Sequence, residues 1–104
     1  MEHILDAIDK SIEFTENVSF DEFKTNAMLL YAVIKCVEII GEASYKLSAE
    51  FQNQHPEIEW KKIIRMRHIL VHDYFQIDEI IVWNVVKDYL PILKAQIVKI
   101  LQTM

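Results

Sequence analysis

Residues 20–50 read FDEFKTNAMLLYAVIKCVEIIGEASYKLSAE, and the spacing of their apolar side chains decides what kind of fold the chain can have. Leu30, Ile34, Val37 and Gly41 recur at intervals of three and four, which places them on one stripe of a helix. Leu29, Val33, Cys36, Ile40, Ala43 and Leu47 form a second stripe beside the first. Lys35, Glu38, Glu42 and Lys46 fill the opposite side. Two adjoining stripes are wider than one partner helix needs. This helix is therefore either central in a bundle or lends part of its face to another chain. Gly41, the only glycine in the chain, falls mid-helix, where it costs about 1 kcal/mol against alanine. The expectation is that another backbone approaches closely there.

Working outward, Ser19 with Glu22 three residues on is a capping box, so the helical region starts near Phe20 and reaches about residue 50, with a break at Thr25-Asn26. Before it, Ile4, Leu5, Ile8 and Ile12 give residues 2–16 a helical period. After it, QNQHPE (52–57) reads as a loop with Pro56 near the start of a third helix over about 58–71. Asp78 is placed to cap a fourth helix over about 78–102, which Pro91 should kink or divide, because proline removes a backbone donor. The expected architecture is an all-α, up-and-down four-helix bundle in a single domain spanning 1–104.

Composition agrees. One glycine and two prolines in 104 residues argue against a turn-rich β fold, and a 52% hydrophobic, 26% charged chain is that of an ordinary globular protein. Cys36 is alone, which excludes an internal disulfide and fits a reducing cytoplasm. No signal peptide precedes the first helix, and no apolar run approaches the roughly 20 residues a membrane span requires. The net charge of −5 argues against broad nucleic-acid binding, yet the charge is uneven. Residues 1–22 hold seven carboxylates against Lys10 alone, whereas 60–72 carry Lys61, Lys62, Arg65 and Arg67 and no acid.

That basic island continues as RMRHILVHDYFQID (65–78). On a straight helix Arg65, His68 and His72 share a face, while Arg67 stands about 140° from His72. For Arg67 and His72 to act together, the helix must unwind before His72 or a second copy must supply the missing partner. The residue types suit phosphodiester chemistry. A guanidinium forks onto phosphate oxygens at any working pH, and histidine can exchange a proton with a ribose hydroxyl near neutrality. Tyr74 or Phe75 could stack on a base. Spacing alone leaves plainer readings open: charge completing a helix dipole, a hydrogen-bonded half-buried His72, core or interface aromatics at Tyr74 and Phe75, and a solvated surface at Lys61 and Lys62.

Arg67, then HILV, then His72, Asp73 and Tyr74 resembles the R-x4–6-H signature of the HEPN superfamily, in its fuller form R-x4-H-x-Y. His68 takes the place directly after the arginine where such families often carry a polar residue. FDEFKTN, EIIGEASYKLS, HPEIEWKKIIRMRHILVHDYF and QIDEIIVWNVVKDYLPIL are each similar to segments of the HepT-like branch, in that order, from about Phe20 to the C-terminus. The first helix rests on periodicity. The resemblance implies a helical homodimer whose two motifs face one cleft, which would account for both the wide face of the second helix and the angle between Arg67 and His72. It implies a metal-independent ribonuclease without cofactor, the toxin of a type VII-like toxin–antitoxin pair, acting on RNA such as a tRNA or mRNA in the cytoplasm, with no DNA or membrane partner. An MNT-type nucleotidyltransferase antitoxin would transfer AMP from ATP onto Tyr74. Under this resemblance His72 is the general base or acid, Arg67 the phosphate clamp, and Arg65, His68 and Asp73 are supporting residues. Related helical domains also serve without catalysis, so the alternative is a non-catalytic, substrate-binding helical partner of a minimal nucleotidyltransferase. A purely structural dimerising bundle is the third reading.

Overall fold

The computed structural model describes residues 1–72 and 78–103, with the backbone alone at 69–72. Among the described residues all regular structure is helical: α1 (Glu2–Thr15), α2 (Phe20–Thr25), α3 (Ala27–Tyr45), α4 (Ala49–Gln54), α5 (Trp60–His72), α6 (Glu79–Asn84) and α7 (Leu90–Thr103). α2 leads into α3, and α6 runs through a π-helical turn, Val85–Tyr89, into α7. With α1 and α5 these make the four rods expected, and α4 is an added short piece.

The local chemistry explains most boundaries. Ser19 Oγ accepts from Glu22 N at 3.2 Å while Glu22 returns a carboxylate to Ser19 N at 3.4 Å, the reciprocal cap anticipated. At Asn26 the backbone is extended (φ −110, ψ 95) and its side chain caps α3 by accepting from Leu29 N at 3.1 Å. Asn competes with helical geometry through such local bonds. The single helix expected over 20–50 divides a second time. Ser48, also extended, caps α4 by accepting from Phe51 N at 3.1 Å. Gln52 Nε2 then donates back to the Ser44 carbonyl at 2.9 Å, as a second donor beside the Leu47 N–H at 3.2 Å, and so ties α4 to the end of α3. Pro56 lies in the turn before α5 instead of in its first turn. Asp78 caps α6 through Ile80 N at 3.0 Å.

Pro91 interrupts the fourth rod as its chemistry requires. Its ring has no N–H and crowds the carbonyl four residues back. The rod answers by widening just upstream, so that Leu90 N–H reaches the Val85 carbonyl five residues away.

α3 packs on α1 along one side and on α5 along the other, and α7 with the π turn closes against α1. The middle of both apolar stripes of α3 is thus covered within the chain: Val33, Cys36 and Ile40 are buried, and so are Ile34, Val37 and Gly41, while Leu29, Leu30, Ala43 and Leu47 towards its ends are partly buried. The helix is central in the bundle. Ile8, Leu93 and Ile97 complete the core with no measurable exposure. Ser11 and Thr15, buried on α1, donate to the Ala7 and Ser11 carbonyls at 3.0 and 2.9 Å, so no hydroxyl is stranded. Lys87 ties the π turn to the end of α1 by donating to the Thr15 carbonyl at 2.8 Å. Among the described residues no helix is long and apolar enough to cross a membrane.

Candidate functional site

α5 carries the basic island and sorts it onto two sides. Ile63 is buried against α3, and Arg67, one turn later, follows it on the inward side and is partly buried. Lys61, Arg65 and His68 lie within a narrow arc of the outer side and are exposed.

The inward side answers the question raised by the one glycine. A Cβ at Gly41 would collide with Arg67 Cβ and stand 2.9 Å from its Cγ and 3.2 Å from its Cδ. What stands nearest to Gly41 is the Cβ and stem of Arg67, so α5 approaches α3 closely at this point. IGEA on α3 and the arginine of α5, 26 positions apart in sequence, form one packing unit. The stem of Arg67 is laid along α3 because position 41 has no side chain.

Arg67 Nε is shielded from solvent and has no hydrogen-bond partner among the described residues. A guanidinium stays charged, so a hidden N–H without a partner carries a real cost. Such atoms are rare in folded proteins and point to a role. Asp9 Oδ1, also hidden, differs: Lys94 Nζ stands 2.7 Å from it.

The remaining predicted residues divide as follows. Arg65 and His68 are on the exposed stripe. His72 ends α5, and the backbone is helical up to it, so the helix does not unwind between Arg67 and His72. By register, positions 67 and 72 thus stand about 140° apart around the axis. The His72 side chain, Asp73 and Tyr74 lie outside the described residues. Among those described, no three His, Cys, Asp or Glu side chains converge as metal ligands do.

Beside the exposed stripe lies a feature that sequence reading missed. α4, the following turn and the start of α5 enclose an open cleft of about 650 Å³, lined by Gln52, Asn53 and Pro56 on one side and by Lys61, Lys62 and Arg65 on the other. Lys61 and Arg65 at i, i+4 were the available signal. That α4 would fold over to face them is a tertiary fact.

Among the described residues, two side chains have displaced proton affinities. Burial pushes the Cys36 thiol up, assisted by Asp6 and opposed by a Ser11 hydrogen bond and by Lys10. It stays protonated at neutral pH and makes a poor nucleophile. Burial, and then the Glu59 carboxylate, raises Tyr89 as well.

The chain matches the family model described as Ribonuclease HepT-like over residues 4–100. The chain belongs to the HepT-like ribonuclease family. Its relatives include a Methanocaldococcus jannaschii protein named "Putative RNase MJ1380", 42% identical over 90% of this chain and 86% of the relative. A Thermococcus cleftensis protein named "Probable ribonuclease HepT" is 40% identical over 96% of this chain and 91% of its own length. A Caldanaerobacter subterraneus protein named "Putative RNase TTE0752" is 37% identical over 98% and 91%. No solved structure matches the chain closely enough to count as similar. The HepT-like match begins at residue 4, so α1, outside the segments that carried the resemblance, falls within the family region.

Proposed function

We propose that the chain is a metal-independent endoribonuclease, the toxin of a toxin–antitoxin pair, with Arg67 and His72 as its catalytic residues. The observation that carries this is Arg67: a permanently charged group laid over the only glycine, with a hidden N–H that has no partner among the described residues, in a HepT-like chain. The remaining nitrogens of the guanidinium are held, by the fixed stem, to receive a substrate phosphate. His72 takes the proton from a ribose 2′-hydroxyl, the 2′-oxygen attacks phosphorus, and the P–O5′ bond breaks. The 5′-oxygen leaves with a proton from a histidine, and a 2′,3′-cyclic phosphate remains. Arg67 holds the non-bridging oxygens as their charge grows. Arg65 and His68 guide the strand from the outer face, and Asp73 assists beside His72.

Because α5 is helical through His72, Arg67 and His72 of one chain diverge, and two copies facing each other complete the site. Met28, Tyr31 and Ile81, apolar and exposed on α3 and α6, are suited to such an interface.

A nucleotidyltransferase antitoxin silences the enzyme by modifying Tyr74. The phenol oxygen attacks the α-phosphorus of ATP and pyrophosphate leaves. The AMP anion then occupies the place of the RNA phosphate beside Arg67. The second reading, a non-catalytic partner that holds a nucleotidyltransferase substrate, is favoured by the net charge of −5, against which Lys61, Lys62, Arg65 and Arg67 make only a narrow basic patch.

Incubating the purified chain with total RNA in EDTA, beside His72→Ala, separates the two. Cleavage by the wild type alone is expected. Identical behaviour of both proteins removes the enzyme reading and leaves the binding one.

A further inference from the structure

We propose that the cleft between α4 and α5 is a subsite for an unpaired nucleotide of the RNA substrate, several residues away from the bond that is cut. The proposal rests on the ribonuclease reading and extends it to how the strand is held.

Four features of the cleft point to this ligand. Its volume, about 650 Å³, lies in the range of small-molecule sites. Its apolar floor is chiefly Pro56, which is exposed, with Ile58 and Trp60 packed behind it at 2% and 5% exposure. Its rim holds Lys61, Lys62 and Arg65 against Glu59 alone, so the lining is net cationic even with Lys62 and Glu59 paired at 3.5 Å. Two amides complete it. Gln52 spends its Nε2 on the Ser44 and Leu47 carbonyls, which leaves its oxygen as the end offered to a ligand, while Asn53 is exposed and offers both. An apolar floor with amides at its edge accepts the flat face and polar rim of a base, and lysine and arginine at the mouth take the flanking phosphates.

Position joins the cleft to the reaction. Lys61, Arg65, His68 and His72 occupy one side of α5 by register, and from Lys61 to His72 the helix advances about 16 Å. That distance corresponds to about five stacked nucleotides. A strand bound at the His72 end is therefore led by a row of cations to the cleft. A paired base hides the edge that Gln52 and Asn53 would read, so the occupant is single-stranded.

The test compares the wild type with Lys61→Ala/Asn53→Ala, both positions exposed, on an unstructured twelve-nucleotide RNA and on a dinucleotide too short to span the helix. The expected result is that efficiency on the twelve-mer, relative to the dinucleotide, falls about tenfold through KM, as the loss of one charge-assisted contact predicts. In an inactive His72→Ala background, twelve-mer affinity measured by fluorescence anisotropy falls by the same factor. The slope of log affinity against log salt drops by about 0.7 for the lost lysine. Unaltered KM and affinity overturn the proposal, as does an equal loss with a blunt duplex of the same length. Should the wild type cut neither RNA while the double variant still binds the twelve-mer more weakly, the cleft stands and the ribonuclease reading falls.

Discussion

Arg65 and Arg67 are two residues apart on one helix and inhabit opposite surroundings. Arg65 points to the exposed, cationic side of α5, where water screens it and its stem is free to move. Arg67 is partly buried, its stem is fixed over Gly41, and one of its nitrogens has lost its water without gaining a partner among the described residues. A mobile surface charge attracts a polyanion weakly and from a distance. A fixed, dehydrated one grips a phosphate at a set position, and it is strongest when charge accumulates there. On the proposed reading, the same residue type serves recruitment on one flank of the helix and catalysis on the other.

The contrast is easiest to break at the arginines themselves. Arg67→Ala should lower kcat by about 10²–10³, the usual cost of removing one donor to a transition-state oxyanion. Arg65→Ala should act mainly on KM, by about tenfold or less. Arg67→Lys should stay close to Arg67→Ala, because an ammonium cannot reproduce the planar fork. Steady-state cleavage of a defined RNA measures all three, and equal effects at 65 and 67 would erase the distinction.

Gly41→Ala sharpens it next. In an isolated helix the change gains about 1 kcal/mol. Here the new Cβ meets Arg67 at Cβ and Cγ, atoms too near the backbone to swing aside, so α5 must shift. A net loss of about 1–3 kcal/mol is expected from such overpacking. Urea unfolding should show it, together with reduced kcat, since the clamp moves with the stem. A more stable variant with full activity would mean that the stem is not fixed at this glycine.

The smallest effect is on stability in alkali. The folded state holds the Cys36 and Tyr89 protons more tightly than the unfolded chain does, so both contributions are whole below the ordinary values of 9.0 and 10.0. They are lost as pH climbs from those values through the raised folded ones. The urea midpoint should fall as pH rises above about 9, and less steeply in Cys36→Ala.

How much of this was legible follows from range. Ser19 with Glu22, Asp78 and Pro91 announced themselves because caps and proline act within a turn of their own position. The paired stripes of α3 marked it as central, since amphipathic width is a local count. The division at Ser48 was missed although its cap, accepting from Phe51 N, is as local as the others, because the apolar spacing runs on to Leu47 and Phe51 without marking the break. Gly41 was legible as a close approach, but its neighbour was not, for nothing in the local sequence says which residue of α5 comes to rest there. Within the site, Arg65, Arg67 and His68 came from the motif and the basic island, whereas Gln52, Asn53 and Pro56 required the fold. The His72 side chain, Asp73 and Tyr74 stand outside the described residues and remain proposals.

The central claim is that Arg67 and His72 act across two copies of the chain, and complementation tests it most directly. Arg67→Ala and His72→Ala, each inactive alone, are to be co-expressed with different tags and their mixed species assayed. Each mixed dimer has one of its two sites intact, so the purified mixed species should regain about half of wild-type activity. No recovery from a purified mixed dimer would place both residues of the site in one chain and contradict the account.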